Sequence, residues 1–205
     1  MPPKGEKRRQ QIIETAKNMF ITKGFQSTHI GQVCDELDIA RGTVYQYFNN
    51  KKEILYSILD NVVESVEEVM DPDELKEFLE MTPDHNSMIK FIDDRISSCL
   101  RIISDEPIII RLIFRDIPGI DEDVSEKVSE FLDKVITVIS QEIEVLCKNS
   151  IFKEDVEPDI AASMLVGGVI MMVFQYSNKN KNYMDGNIAN MMSKLYLLGV
   201  HKNNS

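Results

Sequence analysis

The sequence is poor in cysteine, and the cysteines it has are badly placed for chemistry. Among its 205 residues there are three. Cys34, Cys99 and Cys147 lie far apart and form no CxxC pair. An odd, scattered set argues against a disulfide framework or a zinc cluster, and the three histidines show no metal-ligand spacing. We therefore expect reduced thiols in the core, and neither a metal nor a cofactor.

Long apolar runs and catalytic groupings are also missing. The longest apolar candidate, 161–174, is limited by Asp159 and Gln175 and is shorter than the roughly 18 residues of a membrane span. The basic N-terminus leads into an amphipathic segment, unlike a signal peptide. No nucleophile and base, phosphate-binding loop or acid pair suggests catalysis. These patterns predict a cytoplasmic protein that is not an enzyme.

Charge is abundant but unevenly distributed. The net charge is −11. Residues 1–52 carry nine Lys/Arg against five Asp/Glu, whereas residues 53–205 carry fourteen against twenty-nine. A basic head on an acidic body indicates that one end meets a polyanion while the rest repels it.

Apolar residues recur at helical spacing, and no run alternates as a half-buried strand would. The sequence predicts an all-α protein of about nine helices. A first helix ends at Lys23-Gly24, and Thr28 is expected to cap a second. Asp71-Pro72 should break the helix that begins at Lys51. A helix from Pro158, nearly free of charge over 161–177, should be buried on most sides, and a last amphipathic helix should follow near residues 188–198.

Residues 24–55 contain two short helices separated by a tight break, the pattern of a helix-turn-helix. In the second, Val44 and Phe48 must face inward because they are four residues apart. Four residues are left outward as a candidate DNA-reading face: Arg41, Gly42, Tyr45 and Gln46. Lys51 and Lys52 follow where phosphate could meet both positive charge and a helix N-terminus.

This segment resembles the DNA-binding domain of the TetR/AcrR family of bacterial and archaeal regulators. The matching or conservatively replaced residues are Gly24, Phe25, Thr28, Ile30, Val33, Ile39, Gly42, Thr43, Val44, Tyr45, Tyr47, Phe48, Lys51, Glu53 and Leu55. Two departures stand out: Asp38 replaces the turn glycine, and Ala40 replaces a capping serine. We expect the DNA-binding residues to be Thr28, Arg41, Gly42, Thr43, Tyr45, Gln46, Tyr47 and Lys51.

The resemblance implies two domains. A DNA-binding domain is expected at 6–66, with the helix-turn-helix at about 29–48, and a helical effector-binding and dimerisation domain at 67–205. It also implies that the last two helices pair with their copies in a homodimer. For that interface we name Gly167, Gly168, Met191 and Leu195. For an effector pocket in the body we name Phe91, Arg95, Cys99, Phe114 and Met171.

The expected function is that of a homodimeric transcriptional repressor, released from a palindromic double-stranded operator by a small apolar or amphipathic effector. One alternative is a TetR-like architectural or division factor controlled by a protein partner. A second is a helical adaptor that does not bind DNA and uses its acidic body for protein contacts.

Overall fold

A computed structural model describes residues 4–116, 122–178 and 187–200. The described residues form α-helices and contain no strand, which confirms the all-α prediction. The helices are α1 (Lys4–Lys23), α2 (Ile30–Leu37), α3 (Arg41–Tyr45), α4 (Lys51–Val69), α5 (Pro72–Glu80), α6 (His85–Asp105), α7 (Pro107–Arg111), α8 (Glu122–Lys148), α9 (Pro158–Asn178) and α10 (Asn187–Val200). A π-helical turn, Leu112–Asp116, continues α7.

The start and end of the first two helices have local causes. Helix α1 stops where Gly24 takes φ +93°, a conformation that a side chain would strain. The expectation that Thr28 caps α2 is wrong, because His29 occupies the cap position. The Gln32 side chain accepts a hydrogen bond from the His29 backbone N–H at 2.9 Å, as in half of a capping box. Thr28 instead lies inside, at 1% exposure.

Helix α5 has no counterpart in the sequence prediction, which treated Asp71-Pro72 only as a break. Proline at the first helical position is compatible with a helix, since its missing N–H would have no partner there. The Asp71 carboxylate accepts a hydrogen bond from the Asp73 N–H at 2.9 Å and caps the new helix. The same dipeptide therefore ends one helix and starts the next.

The chain divides into two compact units. The first contains residues 1–62 and 107–131, and the second contains residues 63–106 and 132–205. The predicted domain boundary between residues 66 and 67 stays a prediction. The first unit includes residues 107–131, which the sequence analysis assigned to the effector-binding and dimerisation domain. Buried residues of the first unit include the whole predicted face of α1: Ile12, Ile13, Ala16, Met19 and Phe20.

Helix α9 belongs to the second unit, where α6 packs against both α9 and α10. One side of α9 is buried, through residues such as Ala162 and Val173. Its other side is apolar yet exposed in the single chain, so the expectation of burial on most sides is wrong. Residues 158–177 are long and apolar enough to span a membrane by length and composition alone, with 33% of the segment buried. An apolar helix with an uncovered side indicates a partner.

The turn between α2 and α3 carries backbone strain. Asp38 adopts the left-handed conformation, with φ 49° and ψ 52°, as its place at the family's glycine position suggested. Its N–H bonds to the Asp35 carbonyl at 3.3 Å. A non-glycine residue there is less favourable than glycine because of the clash between its Cβ and the backbone.

We expect Asp38→Gly to raise the free energy of unfolding by about 0.5–1 kcal/mol, since glycine accepts this backbone conformation without the clash. Urea unfolding measures the change. Asp35→Gly is the matched control, because Asp35 lies inside α2, where glycine should destabilise by a similar amount. Equal effects of the two substitutions would contradict the assigned strain.

Candidate functional site

The short helix α3 presents a polar face to solvent. Val44 and Phe48 are buried, at 0% and 3% exposure, which confirms the predicted inward pair. The four residues predicted to face outward, Arg41, Gly42, Tyr45 and Gln46, are all exposed. Guanidinium and amide groups can bond base edges in the major groove, and a tyrosine hydroxyl can bond phosphate. The exposed face therefore has the chemistry of a DNA-reading helix.

The backbone is unusually accessible along this face. A Cβ built on Gly42 would meet no heavy atom within 4 Å, so nothing in the protein requires glycine for space. A Cβ on Gly31 of α2 would lie 3.0 Å from Arg41 Nη2, so that glycine makes room for the guanidinium. A shallow groove of about 560 Å³ is lined by Gly31, Arg41, Tyr45 and Asn50, among others.

Ala40 occupies the N-cap position of α3, and no side chain caps this helix. A serine at that position would accept a hydrogen bond from the first turn, and loss of such a cap costs about 0.5–2 kcal/mol. Because α3 is only five residues long, it depends on packing through Val44 rather than on its own hydrogen bonds.

The loop that joins α1 to α2 is held by the Lys51 ammonium. Its Nζ donates hydrogen bonds to the carbonyl oxygens of Phe25, Gln26 and Thr28, at 2.8, 2.9 and 2.9 Å. It also lies 4.7 Å from the centre of the Phe25 ring. A lysine has three N–H donors, and these contacts engage all three. Lys51 therefore ties the start of α4 to the loop that precedes α2.

A second cation holds the other end of the same loop. Arg111 Nη1 donates a hydrogen bond to the Ile21 carbonyl in the last turn of α1, at 2.8 Å. Its guanidinium lies so close to Gly24 that a Cβ there would approach Nη2 to 2.9 Å. The Thr28 hydroxyl donates to the Gly24 carbonyl at 2.9 Å. Two cations and a buried hydroxyl thus bind carbonyls in the last turn of α1 and in the loop that follows it.

Side chains also fix the start of α4. The Asn50 side chain accepts a hydrogen bond from the Glu53 N–H at 3.1 Å, and Glu53 accepts one from the Asn49 N–H at 2.9 Å. The hydrogen bonds that the Asn49 backbone and side chain donate to the Glu53 carboxylate lower its pKa from the usual value. Lys52 pairs with the exposed Asp123 at 2.7 Å. The helix after α3 therefore begins at a defined residue and in a defined direction.

The structure sorts the predicted DNA-binding residues into two groups. Arg41, Gly42, Tyr45 and Gln46 share the exposed face, and Thr43 and Tyr47 on the same segment are half-buried. The side chains of Thr28 and Lys51 hydrogen-bond to the protein's own backbone. Direct contact of any of these residues with DNA stays a prediction. What sequence reasoning missed is the supporting role of Lys51 and Arg111, which depends on tertiary geometry.

In the second unit, three predicted effector-pocket residues lie along α6. Arg95 is buried at 7% exposure, and its guanidinium lies 4.5 Å from the centre of the Phe91 ring. Arg95 Nη1 contacts Glu74 Oε2 at 2.9 Å, and Arg95 Nε lies 3.4 Å from Glu142 Oε2. One buried guanidinium therefore contacts a buried carboxylate, Glu142, and an exposed one, Glu74.

Burial dominates the acid–base behaviour of this cluster. It raises the pKa of Glu142 to about 7, against a lowering by the Arg95 charge and a further rise from Glu74. Burial, with the Glu142 charge, raises the pKa of the Cys99 thiol to about 12. Cys99 is thus a neutral thiol at physiological pH and a poor nucleophile. Within the described residues, no three His, Cys, Asp or Glu side chains are grouped to hold a metal ion.

A cavity of about 620 Å³ lies in the second unit beside α5 and α8. Its lining residues are Glu67, Met70, Pro72, Asp73, Leu75, Lys76, Leu79, Glu80, Val138, Gln141, Glu142, Val145 and Asn149. The five residues predicted for the effector pocket are not among them. Phe114 belongs to the first unit, and Met171 is 45% exposed on α9. Their role in an effector pocket stays a prediction, and sequence reasoning did not identify Glu142 or Leu75.

The four residues named for a dimer interface all lie at exposed positions. On α9, Gly167 and Gly168 share one face with Ile160, Met164 and Met171, since these positions follow helical spacing. On α10, Met191 and Leu195 are 56% and 67% exposed. A Cβ on Gly167 would meet nothing within 4 Å. The structure places the predicted residues on an uncovered apolar surface, and pairing through them stays a prediction.

Comparison with known proteins agrees with this geometry. The family model for bacterial regulatory proteins of the tetR family matches residues 12–58. The HTH-type transcriptional regulator HbdR of Aromatoleum sp. (strain CIB) is 40% identical over 31% of this chain and 28% of that protein. The fatty acid metabolism regulator protein of Bacillus subtilis (strain 168) is 21% identical over 93% of this chain and 94% of that protein.

A similar whole fold occurs in a solved structure, the transcriptional regulator FadR from Bacillus subtilis in complex with stearoyl-CoA. The comparison of this chain with that structure gives a TM-score of 0.74 at 18% sequence identity and covers 94% of this chain and 99% of that chain. The fold and the exposed reading helix define a helix-turn-helix transcriptional regulator. Residues 12–58 of the chain form a DNA-binding domain of the tetR family of bacterial regulatory proteins.

Lys51→Met should lower the free energy of unfolding by about 1–3 kcal/mol, because three carbonyls lose a charged donor while the alkyl stem is kept. Chemical denaturation monitored by circular dichroism measures the loss. The control is Lys52→Met, which removes the ion pair with the exposed Asp123 and should cost less than about 1 kcal/mol. Indistinguishable stabilities of the two variants would show that the ammonium of Lys51 does not hold the loop.

Proposed function

We propose that the protein is a homodimeric transcriptional repressor that a small amphipathic molecule releases from a palindromic operator. The observation that carries this proposal is the exposed face of α3, held in place by the Lys51 and Arg111 contacts in a segment that the family model matches. We assign DNA binding to the region of residues 6–66 and effector binding and dimerisation to residues 67–205. The protein acts by binding rather than by catalysis, in the cytoplasm.

Dimer geometry supplies the mechanism. Two reading helices enter successive major grooves only if they lie about 34–36 Å apart, or a multiple of one helical turn. An effector that favours another separation weakens DNA binding. A tenfold to hundredfold change in affinity requires only about 1.4–2.7 kcal/mol of difference in effector binding between the two states. By linkage, the operator must weaken effector binding by the same factor.

The cavity in the second unit favours a small ligand over the alternative of control by a protein partner. Its volume of about 620 Å³ suits a small molecule, and several of its lining side chains are apolar. The relatives described as fatty acid regulators, one of them solved with stearoyl-CoA, support an amphipathic effector. The uncovered face of α9 and α10 supports the homodimer.

Selection of genomic fragments at moderate salt tests the proposal. The full-length protein should retain a small set of fragments against excess competitor DNA, and candidate effectors should elute them. Retention of all fragments in proportion to their length would indicate charge attraction without sequence recognition. If the protein retained no fragment, the result would favour the alternative that it is a helical adaptor that does not bind DNA.

Gly42→Ala should weaken binding to a retained fragment by about tenfold, because a methyl group would stand between α3 and a closely approaching DNA strand. The fold should tolerate the change, since the position is open and alanine is the better helix former by about 1 kcal/mol. Gel-shift titration measures the affinity. Asn18→Ala, an exposed neutral change on α1, serves as the control and should leave the affinity unchanged.

Gly167→Leu should shift the protein toward monomer, because the new side chain projects from the proposed pairing face and disturbs nothing inside its own chain. Sedimentation velocity over a range of concentrations measures the dimer fraction. The control is Met81→Glu, which changes another exposed apolar residue, outside α9 and α10. An undisturbed dimer in Gly167→Leu would remove that face from the interface.

A further inference from the structure

The cavity in the second unit combines an apolar wall with an acidic one. Leu75, Leu79, Met70 and Val138 supply hydrocarbon surface. The charged side chains that line it are Glu67, Asp73, Glu80 and Glu142 against the single base Lys76. An acidic rim alone is common in a protein of net charge −11. The buried carboxylate in the wall is the unusual feature.

Glu142 shares the Arg95 guanidinium with a second carboxylate, Glu74. It is 9% exposed, and its Oε2 atom makes no hydrogen bond. The nearby Arg95 guanidinium already contacts Glu74 at 2.9 Å, whereas its Nε lies 3.4 Å from Glu142. One positive charge therefore faces two carboxylates. A buried carboxylate without full compensation is costly and either takes up a proton or gains a cationic partner.

The raised pKa of Glu142, about 7, has the same cause. Near neutral pH this carboxyl lies between its two states, so a cation in the cavity can favour the charged one. An anionic head group in the same place would meet four carboxylates and one ammonium. Like charges repel, and the repulsion is strongest beside the buried Glu142, where the effective dielectric is lower than in water.

We propose that this cavity binds an amphipathic cation, whose alkyl part packs on Leu75, Leu79 and Val138 while its positive head lies toward Glu142. The inference rests on the proposed function and gives the chemical class of the effector. It also separates this chain from the relative solved with stearoyl-CoA, since a coenzyme A thioester carries several negative phosphate charges.

Two probes of equal chain length and opposite charge test the proposal: decyltrimethylammonium and decanoyl-coenzyme A. Calorimetric titration of each into the full-length protein, below micelle-forming concentration, gives their affinities. The cation should bind saturably and more tightly than the thioester. Glu142→Gln should weaken cation binding by about tenfold, the usual size of a lost contact between charged groups.

Glu144→Gln is the matched control, because Glu144 is exposed, lies on the same helix and pairs with Lys148 outside the cavity lining. It should leave cation affinity unchanged. Val138→Trp fills the cavity without changing charge and should abolish binding. Should Glu142→Gln fail to fold, the loss in Val138→Trp locates the site, and the comparison of the two probes on the unmodified protein decides its charge preference.

Tighter binding of decanoyl-coenzyme A, an unchanged cation affinity in folded Glu142→Gln, or the absence of saturable cation binding would overturn the proposal. Retention of DNA by the same preparation is measured without any probe. If DNA is not retained, the proposed function fails, while a cation isotherm that depends on Glu142 still supports the cavity assignment. If DNA is retained and no cation binds, only the cavity assignment fails.

Discussion

The geometry of the DNA-reading segment depends on two cations that bind backbone carbonyls. The last turn of α1 and the loop that follows it leave carbonyl oxygens without helical partners. Lys51 from α4 binds three of these oxygens, and Arg111 from α7 binds one in the last turn of α1. Because α3 is too short to be stable alone, its direction is set by what holds α1, α2 and α4 together. Positively charged side chains of this unit therefore bind the protein's own backbone carbonyls, in addition to any role in binding phosphate.

The two units use charge in opposite ways. In the first, cations meet neutral carbonyls, and the remaining polar groups of α3 stay exposed. In the second, the buried Arg95 guanidinium faces the buried carboxylate of Glu142 and the exposed carboxylate of Glu74. The first arrangement fixes the position of the surface for which we propose DNA binding. The second leaves an electrostatic imbalance that a ligand can relieve, which is how binding energy becomes available for a switch between two states. In this proposal, acidic residues of the second unit take part in binding the ligand.

Local sequence patterns predicted the reading helix well, because spacing alone forces Val44 and Phe48 inward. They also predicted the left-handed Asp38 and the end of α1 at Gly24. Local patterns could not predict contacts between residues that are distant in the sequence. Arg111 and Ile21 are 90 positions apart, and the residues around Arg111 do not indicate that it binds a carbonyl at the end of α1. Helix α5 was missed although Asp71, Pro72 and Asp73 form a recognisable start, since proline was taken only as a helix breaker. The uncovered side of α9 was unexpected because an apolar sequence does not distinguish burial in one chain from burial against a partner.

The central claim is that paired copies of α3 enter the major groove of an operator. Methylation interference at guanine N7, which lies in the major groove, tests it directly on a DNA fragment that the protein retains. The account predicts two clusters of interference related by a two-fold axis, with centres about 10 base pairs or a multiple apart. A single cluster, or binding that major-groove methylation does not affect, would contradict it.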